Sequence, residues 1–151
     1  MFTKNEIWIK ASPQRIYDLA SDVANWPKLL PHYRWVRVLE DEQDIRRVEM
    51  AARRSIFPVR WTAMQKLFPE ACRITYRHVR GVTTDMDVEW RLTPSNGGTQ
   101  VVIEHDLNSR KWWLRFKPLA WIVGDFFVKG IAARTLHHIK LAAERKPGGN
   151  E

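Results

Sequence analysis

The strongest constraint on this chain is the order of its patterns. From residue 34 to residue 107 one strand-length segment after another alternates apolar and polar residues. From 119 to 145 the spacing switches to that of one long amphipathic helix. Strands with period-two patterning are dry on one face only, which is the signature of an antiparallel sheet. A helix with an apolar stripe must bury it, and the dry face of that sheet is its partner. The expected architecture is α+β: a curved antiparallel sheet of about seven strands wrapped around a long C-terminal helix, with two short helices after the first strand. Such a shape is a container. At 151 residues and 44% apolar content the chain suits one domain with a substantial core. That domain is expected over 1–146, followed by a disordered tail over 147–151.

The individual signals are local. Residues 3–11 read as the first strand, with Asn5, Ile7 and Ile9 opposite Glu6, Trp8 and Lys10. Ser12 followed by Pro13 is an N-cap and a first helical position, and Ile16, Leu19 and Ala20 give that helix its inner face. Trp26-Pro27 opens a second short helix that ends before Pro31. Further strands are expected over 33–39, 45–53, 59–68, 72–79, 84–93 and 99–107. Ile74, Tyr76 and His78 share one face of the fifth strand, and Met86, Val88, Trp90 and Leu92 one face of the sixth. Val101, Ile103, His105 and Leu107 share one face of the last. In the fourth strand Trp61, Ala63 and Leu67 oppose Arg60, Thr62 and Lys66. Ser95-Asn96-Gly97-Gly98 is a hairpin turn.

On a helical wheel, Ala120, Trp121, Gly124, Phe127, Val128, Ile131, Ala132, Thr135, Ile139 and Ala142 form one stripe. The opposite side is charged from Lys129 onward. Before that it is apolar as well, through Leu119, Ile122, Val123 and Phe126. This second apolar face needs a cover: the Trp112-Trp113-Leu114 segment, a second copy, or a membrane surface. Local cover by the tryptophans is the simplest.

Composition excludes several classes. One cysteine, Cys72, allows neither an internal disulfide nor a multi-thiolate metal site. Five histidines without HExxH-type spacing give no reason to expect a metal, and no cofactor fingerprint is present. The net charge of +8 is spread over scattered arginines, including Arg110, rather than gathered in a basic block. No specific nucleic acid is therefore expected. The first residues lack the apolar run of a secretory leader and no stretch is long enough to span a bilayer, so a cytoplasmic protein is expected. The expected partners are a hydrophobic small molecule and, transiently, an anionic membrane surface, with the chain a monomer or weak dimer.

The order strand, two short helices, six strands, long helix resembles the helix-grip fold of the START-like (SRPBCC) superfamily. Its polyketide cyclase/dehydrase and coenzyme Q-binding START families are the nearest in kind. The resemblance is carried by the stretch from Ala11 through Asp22, by Asn25-Trp26-Pro27 with Leu30-Pro31-His32-Tyr33, and by Trp90-Arg91-Leu92-Thr93-Pro94 with Gly97-Gly98-Thr99. Ile131-Ala132-Ala133-Arg134-Thr135-Leu136 adds to it. It covers nearly the whole chain, and it implies a fold more sharply than an activity.

In that fold the ligand lies between the concave sheet face and the long helix. Strand parity then nominates Tyr76, His78, Trp90, Ile103 and His105 as lining residues, and Trp61 if the fourth strand keeps register. The helix supplies Gly124, Ile131, Thr135 and His138, and Trp26 and Tyr33 are expected near the mouth. The plain alternative is that all of these pack a core. His105 sits on apolar parity, where an imidazole could act as acid or base, and Tyr76 is a second candidate catalytic group. Asp106 points the other way and cannot assist it from inside. The resemblance to aromatase/cyclases implies a steering arginine, but Arg73 and Arg77 fall on solvent parity. The expected function is sequestration or transport of a polyketide, isoprenoid, quinone or lipid. Acid-base cyclisation in the same cavity is the alternative, and a ribosome- or protein-interaction module the third reading.

Overall fold

The computed structural model describes residues 1–108 and 111–145. Arg110 and the tail expected over 147–151 lie outside the described residues. Seven antiparallel strands form one sheet in the order β1-β7-β6-β5-β4-β3-β2. They are β1 (Phe2–Ile9), β2 (Tyr33–Glu42), β3 (Ile45–Arg54), β4 (Phe57–Phe68), β5 (Arg73–Arg80), β6 (Asp87–Ser95) and β7 (Gly98–Asp106). Between the two edge strands run α1 (Pro13–Ser21) and α2 (Trp26–Leu29). At the C-terminal end α3 (Lys117–Trp121), a π-helical stretch (Ile122–Val128) and α4 (Lys129–Ala143) run on as one helical rod of 27 residues. This is the helix-grip fold. Among the described residues no helix is long and apolar enough to cross a membrane.

The local reasons are legible. Ser12 Oγ accepts from the Arg15 amide, and Pro13 sits where its missing N–H costs nothing. Asn96 and Gly97 take φ of 49° and 79°, the paired left-handed conformations of a two-residue turn that matches strand twist, so Ser95 pairs with Gly98. The inner sheet face holds Val48, Met50, Ile74, Val88, Val101 and Ile103, all buried. The outer face carries a ladder of charges instead. Arg73 meets Glu89, and Arg91 bridges Glu89 and Glu104, both at 2.6 Å. Arg77 joins Asp87 there at 2.8 Å, so Arg73 and Arg77 face away from the interior.

The end of the long helix is capped from α1. Arg15 donates to the carbonyls of Ala143 (2.6 Å), Ala142 (3.2 Å) and Arg145 (2.9 Å), placing a cation against the negative end of the helix dipole.

The structure departs from the expected pattern in two places. The π-helical stretch has a wider turn, so residues before it and at its start are rotated relative to the wheel that fits the rest of the rod. Val123, expected on the outer side, turns inward. Trp121, expected inside, is 59% exposed. The carbonyls that the wider turn leaves available find side-chain donors: Arg54 Nε donates to Phe126 O at 3.1 Å and Asn5 Nδ2 to Lys129 O at 3.2 Å. The second departure is at the start of β6. Residues expected as strand from 84 instead form a turn, with φ of 112° at Gly81 and 76° at Asp85. At Gly81 a Cβ would come within 3.0 Å of the Arg60 carbonyl oxygen, so the chain reverses against β4 only because the residue is glycine.

Candidate functional site: a cavity gripped by sheet and helix

A cavity of about 430 Å3 lies between the concave sheet face and the helical rod. That volume is in the range of small-molecule sites. Its closed end is aromatic. Trp26 and Tyr33 meet edge to face with centroids 5.0 Å apart, Trp90 lies 6.0 Å from Trp26, and Trp61 lies 6.0 Å from Tyr33. Trp61 then stacks on His78 at 5.8 Å and 6°. These rings form a continuous wall of flat π surfaces.

The helix side is built from Val123, Phe127, Ile131 and Thr135 in steps of four, with Val128 and Ala132 beside them. The open end is framed by Pro58 and Arg60 of β4, by Val82 and Thr83 of the Gly81–Asp85 turn, and by the first turns of the π-helical stretch. Val82 is 63% exposed there.

Ten of the nominated lining residues surround this cavity: Trp26, Tyr33, Trp61, Tyr76, His78, Trp90, Ile103, His105, Ile131 and Thr135. Two do not. Gly124 faces β1, where an added Cβ would meet Met1 Sδ at 2.8 Å and Thr3 at 4.0 Å. The π-helical turn is the reason, since it rotates Val123 into the place the regular wheel gave to Gly124. His138 packs outside, its ring 6.1 Å from that of His32, because the helix has already passed the cavity's end at Thr135. The placement of Trp26 and Tyr33 also differs. They are 2% and 7% exposed, at the closed end rather than the mouth.

Arg60, set by alternation opposite Trp61, is exposed and borders the mouth. The ladder between β4 and β5 shifts register between Thr62 and Ala63, where two consecutive residues are both buried. No feature of the sequence marks that bulge. Val82 and Thr83 fall in the connector between the strands expected over 72–79 and 84–93, where alternation gives no inward face to read.

The polar groups inside are few. Gln65, fully buried, donates from Nε2 to Tyr76 Oη at 3.0 Å. Burial raises the Tyr76 pKa above that of an ordinary phenol, an effect partly offset by the Gln65 hydrogen bond, so it stays a neutral hydroxyl. Tyr33 is raised by the same cause, with Thr135 offsetting part of it. Thr135 Oγ1 donates to Ile131 O at 2.8 Å and lies 2.9 Å from His32 Nε2.

His78 Nδ1 lies 2.8 Å from Thr83 Oγ1, which ties the ring to the turn over the mouth. Burial lowers its pKa to about 4. Burial, and then the charge of His78, lower His105 to about 3, so both imidazoles are neutral near pH 7. His105 Nδ1 is buried and has no hydrogen-bond partner among the described residues. The site therefore offers an apolar, aromatic volume with two neutral imidazoles, His78 and His105, in its wall and Arg60 beside its entrance.

Comparison with known proteins agrees with this fold. The actinorhodin polyketide synthase bifunctional cyclase/dehydratase of Streptomyces coelicolor is 29% identical over 99 residues, which cover 64% of this chain and 31% of that protein. The matched part thus spans about a third of that relative's length. Among solved structures, the Zhui aromatase/cyclase from Streptomyces sp. R1128 superposes with a TM-score of 0.87 at 20% identity, covering 99% of each chain. A START superfamily protein from Mycobacterium smegmatis superposes with a TM-score of 0.64 at 15% identity, over 90% of this chain and 97% of the other. Residues 9–134 match the model of the polyketide cyclase / dehydrase and lipid transport family, and the chain belongs to that family.

Proposed function

We propose that this protein binds a hydrophobic, flat or ring-forming small molecule of polyketide, isoprenoid, quinone or lipid character in the sheet-helix cavity, as a cytoplasmic carrier or sequestering protein. The observation that carries this reading is the cavity itself: about 430 Å3, walled by Trp26, Tyr33, Trp61 and Trp90, with an opening beside Val82. Burial of ligand surface at about 25 cal/mol per Å2 supplies the drive, and the few polar groups orient the ligand.

A second reading is favoured by two specific groups. Arg60 at the mouth and His105 in the wall bring a cationic residue and a neutral imidazole to one cavity. That pair suits proton removal next to a ketone and aldol closure, in which the carbon acid loses its proton to an imidazole and the enolate oxygen is stabilised by a cation. Tyr76 is the weaker candidate for a catalytic role, since its hydroxyl is held by Gln65.

Native mass spectrometry of the freshly purified chain, followed by extraction of any retained molecule, tests the first reading. A retained apolar molecule is expected. Ala132→Leu, placed on the cavity wall, should weaken retention at least tenfold, about the effect of filling a ligand-sized gap. Equal retention by wild type and Ala132→Leu would remove the cavity from the argument. For the second reading, His105→Ala should abolish conversion of a poly-ketone probe while leaving its binding in place.

A further inference from the structure

Three separate elements present exposed apolar side chains at the end of the sheet where the cavity opens beside Pro58 and Val82. The β3–β4 hairpin tip presents Ile56 and Phe57, 82% and 50% exposed, and the turn after β5 presents Val82 at 63%. The segment entering the long helix presents Trp112, Phe116 and Trp121 at 72%, 55% and 59%. Phe57 rests on Phe126 and Phe127 at 6.1 and 6.2 Å, which brings the hairpin tip to the helix beside the opening. The sequence suggested that Trp112, Trp113 and Leu114 would cover the apolar start of the helix. Trp113 and Leu114 do pack on the core, but Trp112 does not.

Charge on the same elements is one-sided. Residues 53–60 carry Arg53, Arg54 and Arg60 and no acid; residues 80–85 carry Arg80 and Asp85. Residues 111–125 add Lys111, Arg115 and Lys117 against Asp125. Seven cations minus two carboxylates leave +5, out of +8 for the whole chain. Among the described residues none of these seven is ion-paired, while Asp85 is engaged by Arg77 at 3.7 Å.

We infer that this rim docks the protein, mouth first, on an anionic lipid bilayer. Tryptophan and phenylalanine interleaved with lysine and arginine are the composition that settles at a headgroup interface. The apolar tips are separate and protruding. A soft interface accepts such tips individually, whereas a protein partner would need a continuous complementary surface. Two copies meeting rim to rim would set +5 against +5, so like-charge repulsion opposes a second copy as the cover. Docking stands on the rim alone. Its consequence, that an apolar ligand passes between bilayer and cavity without crossing water, rests on the ligand-binding reading.

The test is co-flotation of the full chain with vesicles of phosphatidylcholine alone and of phosphatidylcholine mixed with phosphatidylserine. Wild type should float with the anionic vesicles, less so at raised salt, and not with the neutral ones. Trp112→Ser with Trp121→Ser, and separately Arg115→Glu with Lys117→Glu, should each weaken that binding by about tenfold or more. Circular dichroism confirms that the variants are folded. No flotation of wild type, or equal flotation of both variants, overturns the inference. So does a sedimentation-velocity dimer that the tryptophan variant dissolves, since the rim would then belong to a second copy. Retention of a small molecule, read in the same variants by native mass spectrometry, reports on the cavity independently, because none of the four residues lines it.

Discussion

His105, His78 and His32 share one physical situation: imidazoles in a dry interior with little to stabilise a proton. Burial lowers them to about 3, 4 and 4. The folded form keeps them neutral, while the unfolded chain takes up protons below its ordinary value of about 6.5. Their contribution to stability is thus fully present above pH 6.5 and is lost as pH falls from there toward about 4. The slope is about 1.4 kcal/mol per pH unit for each histidine. Urea midpoints measured from pH 7 to pH 4 should fall steeply, and the double variant His78→Gln, His105→Gln should flatten that fall. Tyr76→Phe is a second residue-scale expectation. It deprives the fully buried Gln65 Nε2 of its hydroxyl partner, which costs about 1–3 kcal/mol in urea denaturation. Alternation along β5 and β7 is enough to place Tyr76, His78 and His105 inside. It could not say which nitrogen would lack a partner, since that depends on side chains arriving from other strands and turns.

At the scale of elements, the helical rod is held by two arginines from elsewhere in the chain. Arg15 caps its C-terminal carbonyls, and Arg54 serves the Phe126 carbonyl in the π-helical stretch while its guanidinium lies 4.7 Å from the Phe126 ring. Arg15→Ala should cost about 1–2 kcal/mol and speed amide exchange in the last turn of α4 without touching the cavity. Arg54→Ala should destabilise by a similar amount, but it should also perturb the cavity, since Val123, Phe127 and Val128 hang from the stretch that it steadies. Ligand affinity compared between the two variants distinguishes a general loss from a local one. The helix itself was plain in the sequence. Its π-helical turn was not, and that turn decided that Val123 rather than Gly124 meets the cavity.

Over the whole molecule, sheet and helix do not close on each other completely, and the space left between them is coupled to folding. A ligand bound there adds stability by mass action. At about a hundredfold excess over its Kd the gain is about 2.7 kcal/mol, roughly a 5–10 °C rise in Tm for a chain of this size. Thermal shift across quinones, isoprenoids and polyketide aromatics should single out the class that fits, and Ala132→Leu should lose the shift.

Strand alternation, the helix stripe, the Ser12-Pro13 start and the Asn96-Gly97 turn are local interactions between near neighbours, so the sequence by itself determined the elements, their order and the inward faces of most strands. What only the tertiary structure decided is where those faces leave room. The bulge after Arg60, the Gly81 turn and the π-helical stretch each depend on packing between segments far apart in the chain. Together they set Arg60, Val82 and Val123 around an opening and turn Gly124 away from it, while the packing of α2 on the sheet buries Trp26 and Tyr33 at its closed end.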